Sequence, residues 1–211
     1  MGVKGFRRGK SDYKRGACSS LRSCERKRAA EDKLTEIDSQ FGDADHGLTM
    51  VKIANAIKGA IDESDGGIKE MLDDVAMAVM VLNGGSAVPL WNTWLDGLQE
   101  VAPEGAEVDT EQLKAMFAHA LEELADMSGA EVGDKTMMDA VIPASEAIAA
   151  YSGDEAGLFE IAAQAAEAGA ENSKNFVSKF GRAKSYGEKT IGTPDAGAVS
   201  MACFFRGLAQ A

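Results

Sequence analysis

Apolar side chains recur at helical spacing along most of the chain beyond residue 30. Over 46–63, Met50, Ile53, Ile57 and Ile61 fall on one face of a helix, and over 67–82 Ile68, Met71, Leu72, Val75 and Val79 do the same. Asp109 stands three places before Gln112, the spacing of a capping box, and predicts the start of a helix carrying Leu113, Phe117, Leu121 and Leu124. Thr136 with Asp139 predicts another start, leading into Val141, Ile142 and Ile148. Residues 154–178 are rich in alanine, the strongest helix former. Thr193-Pro194 reads as an N-cap followed by proline at the first helical position, opening a last helix. No stretch alternates apolar and polar residues with β-branched side chains, so the expected class is all-α, with about seven or eight helices joined by glycine-rich loops.

Those loops carry the chemistry. Gly84-Gly85-Ser86, Gly129 through Gly133-Asp134-Lys135-Thr136, Gly181-Arg182 and Asp195-Ala196-Gly197 each lie near a predicted helix end. Any one of them is an ordinary turn. Together with the loop before residue 46, they suggest one end of a helical bundle built around a polar ligand, because free N–H groups at helix N-termini bind phosphates.

The most informative stretch is Ile37-Asp38-Ser39-Gln40-Phe41-Gly42-Asp43-Ala44-Asp45-His46-Gly47. Asp38, Asp43 and Asp45 repel one another unless a cation lies between them. Magnesium takes such oxygen ligands and shares them with substrate phosphates. Gly42 and Gly47 permit a sharp turn and close approach of the backbone to a ligand. A solvated acidic loop is the plainer alternative, but the flanks Ile37, Phe41, Met50, Val51 and Ile53 set the carboxylates at the edge of a core. A calcium loop of the EF-hand type does not fit: the glycine comes one place early, and Ala54 stands twelfth from Asp43 where glutamate is required.

Charge is unevenly spread. Residues 1–30 hold ten Lys or Arg against Asp12 and Glu25, a net of +8; the total is −12, so residues 31–211 carry −20. An acidic body argues against nucleic acid as a partner. The glycine-broken basic head, residues 1–23, is expected to be a disordered tail ahead of one domain over 24–211. No apolar run reaches membrane-spanning length, and the first residues lack the apolar stretch of a secretory signal. Cys18, Cys24 and Cys203 form neither an even set nor a CxxC motif, which fits a reducing cytoplasm.

In order and spacing the loops resemble the nucleotide-binding L subunit of dihydroxyacetone kinase and the matching C-terminal domain of single-chain enzymes. The motifs that carry the resemblance are Asp38 with Gly42-Asp43-Ala44-Asp45-His46-Gly47, then Gly84-Gly85-Ser86, then Gly133-Asp134-Lys135-Thr136-Met137-Met138-Asp139-Ala140 with Ile142-Pro143-Ala144. They are followed by Gly181-Arg182-Ala183 with Gly187-Glu188-Lys189, and by Asp195-Ala196-Gly197-Ala198. The resemblance runs from about residue 31 to the C-terminus.

It implies a closed barrel of eight antiparallel amphipathic helices with nucleotide, ADP or ATP, bound in the loops at one end. It further implies that Asp38, Asp43 and Asp45 hold two Mg²⁺ ions. The nucleotide would be lined by His46, Gly47, Leu48 and Thr49, by Gly85 and Ser86, by Gly129 and Met137, and by Arg182, Asp195, Ala196 and Gly197. Arg182 would act in catalysis. Phosphoryl transfer needs positioning and charge neutralisation rather than a protein nucleophile, and these residue types supply both. His46 and His119 form no catalytic pair; His119 reads as structural.

In such enzymes the ketose sits on a K-type partner subunit. The nucleotide is either a permanently held ADP recharged by a phosphotransferase-system protein, or an exchanging ATP. A homodimer is also compatible. Rival readings are an ATP-dependent kinase subunit for another hydroxyketone, such as a four-carbon ketose, and a non-catalytic nucleotide-sensing regulator. Ala44 stands where the family has glycine, a mild change if φ is negative there. The family's first helix is shortened to about residues 24–40.

Overall fold

Eight α-helices follow one another through residues 24–210, which are the residues the computed structural model describes; the expected disordered tail over 1–23 lies outside them. The helices are α1 (Cys24–Ser39), α2 (His46–Glu63), α3 (Ile68–Met80), α4 (Ala87–Glu100), α5 (Thr110–Ser128), α6 (Met138–Ala150), α7 (Glu155–Asn172) and α8 (Ala196–Ala209). Two 3₁₀ segments, Ser173–Asn175 and Arg182–Thr190, lie between α7 and α8. No strand occurs among the described residues, as the periodicity predicts. Each helix packs on the next, and α8 also meets α1.

Local chemistry sets the boundaries. At the head of α5 the Asp109 carboxylate accepts from Gln112 N at 2.8 Å while Gln112 Oε1 accepts from Asp109 N at 2.9 Å, the reciprocal box expected from the spacing. Asp154 caps α7 through Gly157 N at 2.8 Å. The last helix opens two residues later than expected: its N-cap is Asp195, whose carboxylate accepts from Ala198 N at 2.8 Å. Thr193 makes no cap there; its hydroxyl donates to Gln40 Oε1 at 2.7 Å. In α6, Pro143 has no N–H to offer the carbonyl of Asp139. Gly169 of α7 lies against that carbonyl, where a Cβ would sit 1.9 Å from the oxygen, so the helices approach closely there.

The core is aromatic at its centre and small-residue at one side. Trp94, Phe117 and Phe205 are almost wholly buried, with ring centroids 5.8 to 6.1 Å apart, and join α4, α5 and α8. Leu158, Ala162, Ala163, Ala166 and Ala170 bury the inner face of α7. On its outer side Arg206 of α8 grips Glu160 and Glu167 of α7 at 2.7 and 2.8 Å. His119 Nε2 lies 2.6 Å from Glu100 Oε2, which raises the imidazole pKa and ties α5 to the end of α4.

Candidate functional site

A cavity of about 560 Å³ opens at one end of the helices. Its walls come from the α1–α2, α3–α4, α5–α6 and α7–α8 connections, and from none of the other three. That is the signature of helices running alternately up and down, in which every second connection returns to the same end. A second consequence follows: α2, α4, α6 and α8 all begin there, so four helix N-termini, each with partial positive charge and free N–H groups, face one cavity.

The three aspartates meet at its mouth. One carboxylate oxygen from each of Asp38, Asp43 and Asp45 lies within 4.8 Å of the other two. Asp38 is held in place by the loop itself, its Oδ2 accepting from the amides of Asp45 at 3.0 Å and His46 at 3.3 Å. Gly42 curls over the same carboxylate so tightly that a Cβ would stand 1.9 Å from Asp38 Oδ1. All-oxygen, anionic and partly solvent-facing, the set fits a hard divalent cation such as Mg²⁺, which coordinates oxygens at about 2.0–2.1 Å. Arg182 Nη2 pairs with Asp43 Oδ2 at 2.8 Å, and Phe41 packs edge-on against Tyr186 with centroids 5.2 Å apart. Together these hold the 182–190 segment against the aspartate loop.

Ala44 has φ +60°, so the glycine the family carries there has been replaced in the left-handed region rather than in the harmless one. The strain is about 1–2 kcal/mol, partly offset because glycine would lose more chain entropy on folding. Ala44→Gly is therefore expected to stabilise the protein by about 0.5 kcal/mol in chemical denaturation. A loss of stability would show that the loop accommodates Ala44 without strain.

On the far wall, Asp139 accepts from Gly133 N at 2.6 Å and Thr136 N at 2.8 Å, folding the 133–136 loop onto the start of α6. Burial still raises the Asp139 pKa against those two bonds. Asp195 is more affected: burial pushes its carboxyl up to about 7. His46 is driven the other way, its pKa lowered by burial despite the nearby Asp38. Its Nε2 lies 3.3 Å from Ser200 Oγ, whose own proton goes to Gly197 O at 2.8 Å.

Of the residues singled out from the sequence, Asp38, Asp43, Asp45, His46, Thr49, Gly85, Ser86, Met137, Arg182, Asp195, Ala196 and Gly197 all line this cavity. Gly47, Leu48 and Gly129 do not: Gly47 is buried against α1, Leu48 is half exposed, and Gly129 ends α5 with left-handed backbone. Lys135 lines the cavity and was not singled out, although it stands in a motif that was.

The sequence profile of the DAK2 domain matches residues 40–210. The chain belongs to the DAK2 domain family. Relatives of two kinds carry the domain. The chain is 34% identical over 187 residues to the D-erythrulose kinase of Mycolicibacterium smegmatis, covering 86% of this chain and 32% of that protein. It is 30% identical over 185 residues to the PEP-dependent dihydroxyacetone kinase, ADP-binding subunit DhaL, of Escherichia coli, covering 84% of this chain and 87% of that subunit. The chain thus spans about a third of the length of the first relative and most of the second. Among solved structures, the dihydroxyacetone kinase from C. freundii in complex with AMP-PNP and Mg²⁺ aligns with a TM-score of 0.68 at 22% identity, covering 100% of this chain and 37% of that one. The DAK2 helical fold is shared at that distance.

Proposed function

We propose that this DAK2 domain is the nucleotide- and Mg²⁺-binding part of a dihydroxyacetone-type kinase, passing a phosphoryl group to a short ketose held on a K-type partner. The observation that carries this reading is the convergence of three carboxylates, an arginine and four helix N-termini on one cavity. Asp38, Asp43 and Asp45 would hold two Mg²⁺ ions, which neutralise phosphate charge when bound. Arg182, paired with Asp43 at the mouth, is the cation placed to meet charge developing on the transferred group. The loops at 84–86, 133–137 and 195–197 would position the nucleotide through backbone amides and shape. No side chain is required as a nucleophile.

A partner is favoured by the surface around the mouth. Among the described residues, Met127 and Phe180 are large apolar side chains left exposed in the lining of the cavity itself. Exposed apolar groups close to a carboxylate cluster suit a docking protein that brings the acceptor and excludes water. The E. coli relative is named as a PEP-dependent kinase's ADP-binding subunit, which supports the version with a bound ADP. The erythrulose-kinase relatives support the second reading in its acceptor, a four-carbon ketose. In both readings this chain plays the same part.

Native mass spectrometry followed by calorimetric titration tests the proposal. ADP with two Mg²⁺ retained through purification is expected for the permanent-cofactor version, and reversible uptake of ATP with Mg²⁺ for the other. Failure to bind either nucleotide at millimolar concentration with excess Mg²⁺ would remove the kinase reading.

A further inference from the structure

Lys135 is an unusual lysine: only 4% exposed, with φ +60°, in the middle of the α5–α6 connection. Its ammonium donates to Ser173 O at 2.6 Å and to Thr193 O at 2.5 Å, two segments 38 and 58 residues further along the chain. Ser173 is wholly buried, and its hydroxyl accepts from Asp195 N at 2.8 Å, so the lysine and the cap of α8 hang from one residue. Thr193 in turn donates to Gln40 Oε1 at 2.7 Å, beside the aspartate loop. Asp139 and Asp195 face the ammonium and supply its countercharge. Left-handed backbone in a non-glycine residue persists only where surrounding contacts over-determine it, and such residues cluster at ligand clamps.

Resting on the nucleotide reading above, we propose that Lys135 is a positioning residue: its buried ammonium cross-links the 133–137 loop to the 173–175 turn and to Thr193. It thereby sets the separation of the two nucleotide-facing walls, Thr136–Met137 and Asp195–Gly197. The role belongs to the hydrogen bonds and their direction rather than to positive charge near phosphate. Lys179 provides the contrast. It pairs with Asp134 of the same loop at 2.5 Å, is largely exposed, and does not line the cavity.

The test is calorimetric titration of the full chain with ADP and Mg²⁺, comparing the wild type, Lys135→Met, Lys135→Gln and Lys179→Met. Lys135→Met is expected to raise Kd at least about tenfold with binding stoichiometry unchanged, because the walls still form but no longer hold their spacing. Lys179→Met is expected to stay within about twofold, since its charge is solvent-screened. A purely structural lysine would instead lower the stoichiometry, through loss of folded protein, at constant Kd; that result overturns the proposal. So does equal weakening by Lys179→Met, which would assign the effect to charge. Should Lys135→Met not fold, Lys135→Gln keeps a donor but falls short of the Ser173 and Thr193 carbonyls and is expected to weaken ADP severalfold, and an unchanged Kd there overturns the proposal. Failure of the wild type to bind ADP is a separate outcome, and takes the nucleotide reading down with it.

Discussion

Asp45→Asn is expected to weaken Mg²⁺-dependent nucleotide binding at least about 100-fold while leaving the helical circular dichroism intact. Removing a direct anionic ligand should exceed the ~10–100-fold effect of losing a group that only orients one. Asparagine keeps the size of the side chain but offers one neutral oxygen in place of a carboxylate, a poor substitute for a hard cation. The fold should tolerate the change because Asp45, although it stands at the head of α2, makes no side-chain capping bond. Loss of its favourable interaction with the helix dipole, about 0.3–1 kcal/mol, is offset by relief of repulsion from Asp38 and Asp43. Titration with ADP in the presence and absence of Mg²⁺ measures the effect. Affinity equal to the wild type would assign the aspartates to a solvated loop.

Phe205→Ala is expected to cost about 3–5 kcal/mol, a large share of the roughly 5–15 kcal/mol by which such domains are stable. Phe205 is fully buried and meets Trp94, Phe117 and Phe204, so truncation opens a void at the junction of α4, α5 and α8. The large rigid rings around it cannot collapse into that space, which places the cost toward the upper end. Denaturant unfolding followed by tryptophan fluorescence reads it directly, because Trp94 packs against Phe205 in the core. A cost below about 1 kcal/mol would mean that the core there repacks.

Local grammar made much of the fold legible. The helix over 46–63 lies where its apolar spacing predicts, and the Asp109–Gln112 box closes as its two residues imply. The error at Thr193 is instructive. A Thr-Pro pair signals a helix start only where helical backbone follows at once; here Thr193 bonds a partner 153 residues away, and Asp195 two places on is the cap. Helix α4 was not placed by periodicity, since Gly84-Gly85-Ser86 reads as a loop and Pro89 falls in the first turn.

At the site, residue types and order revealed the aspartates and glycine loops. Conformation and distant pairing stayed hidden. Nothing near Ala44 announces its positive φ, and nothing near Lys135 announces carbonyl acceptors at Ser173 and Thr193. Arg182 was legible as a candidate, but its seat on Asp43 depends on where the 182–190 segment folds back.

Because α1 runs toward the cavity and α8 runs away from it, and the two helices touch, residues 24 and 210 both lie at the opposite pole of the molecule. The two ends of the described fold thus sit side by side at the back, and a new chain break in any of the three rear turns would leave all four mouth-forming connections uncut.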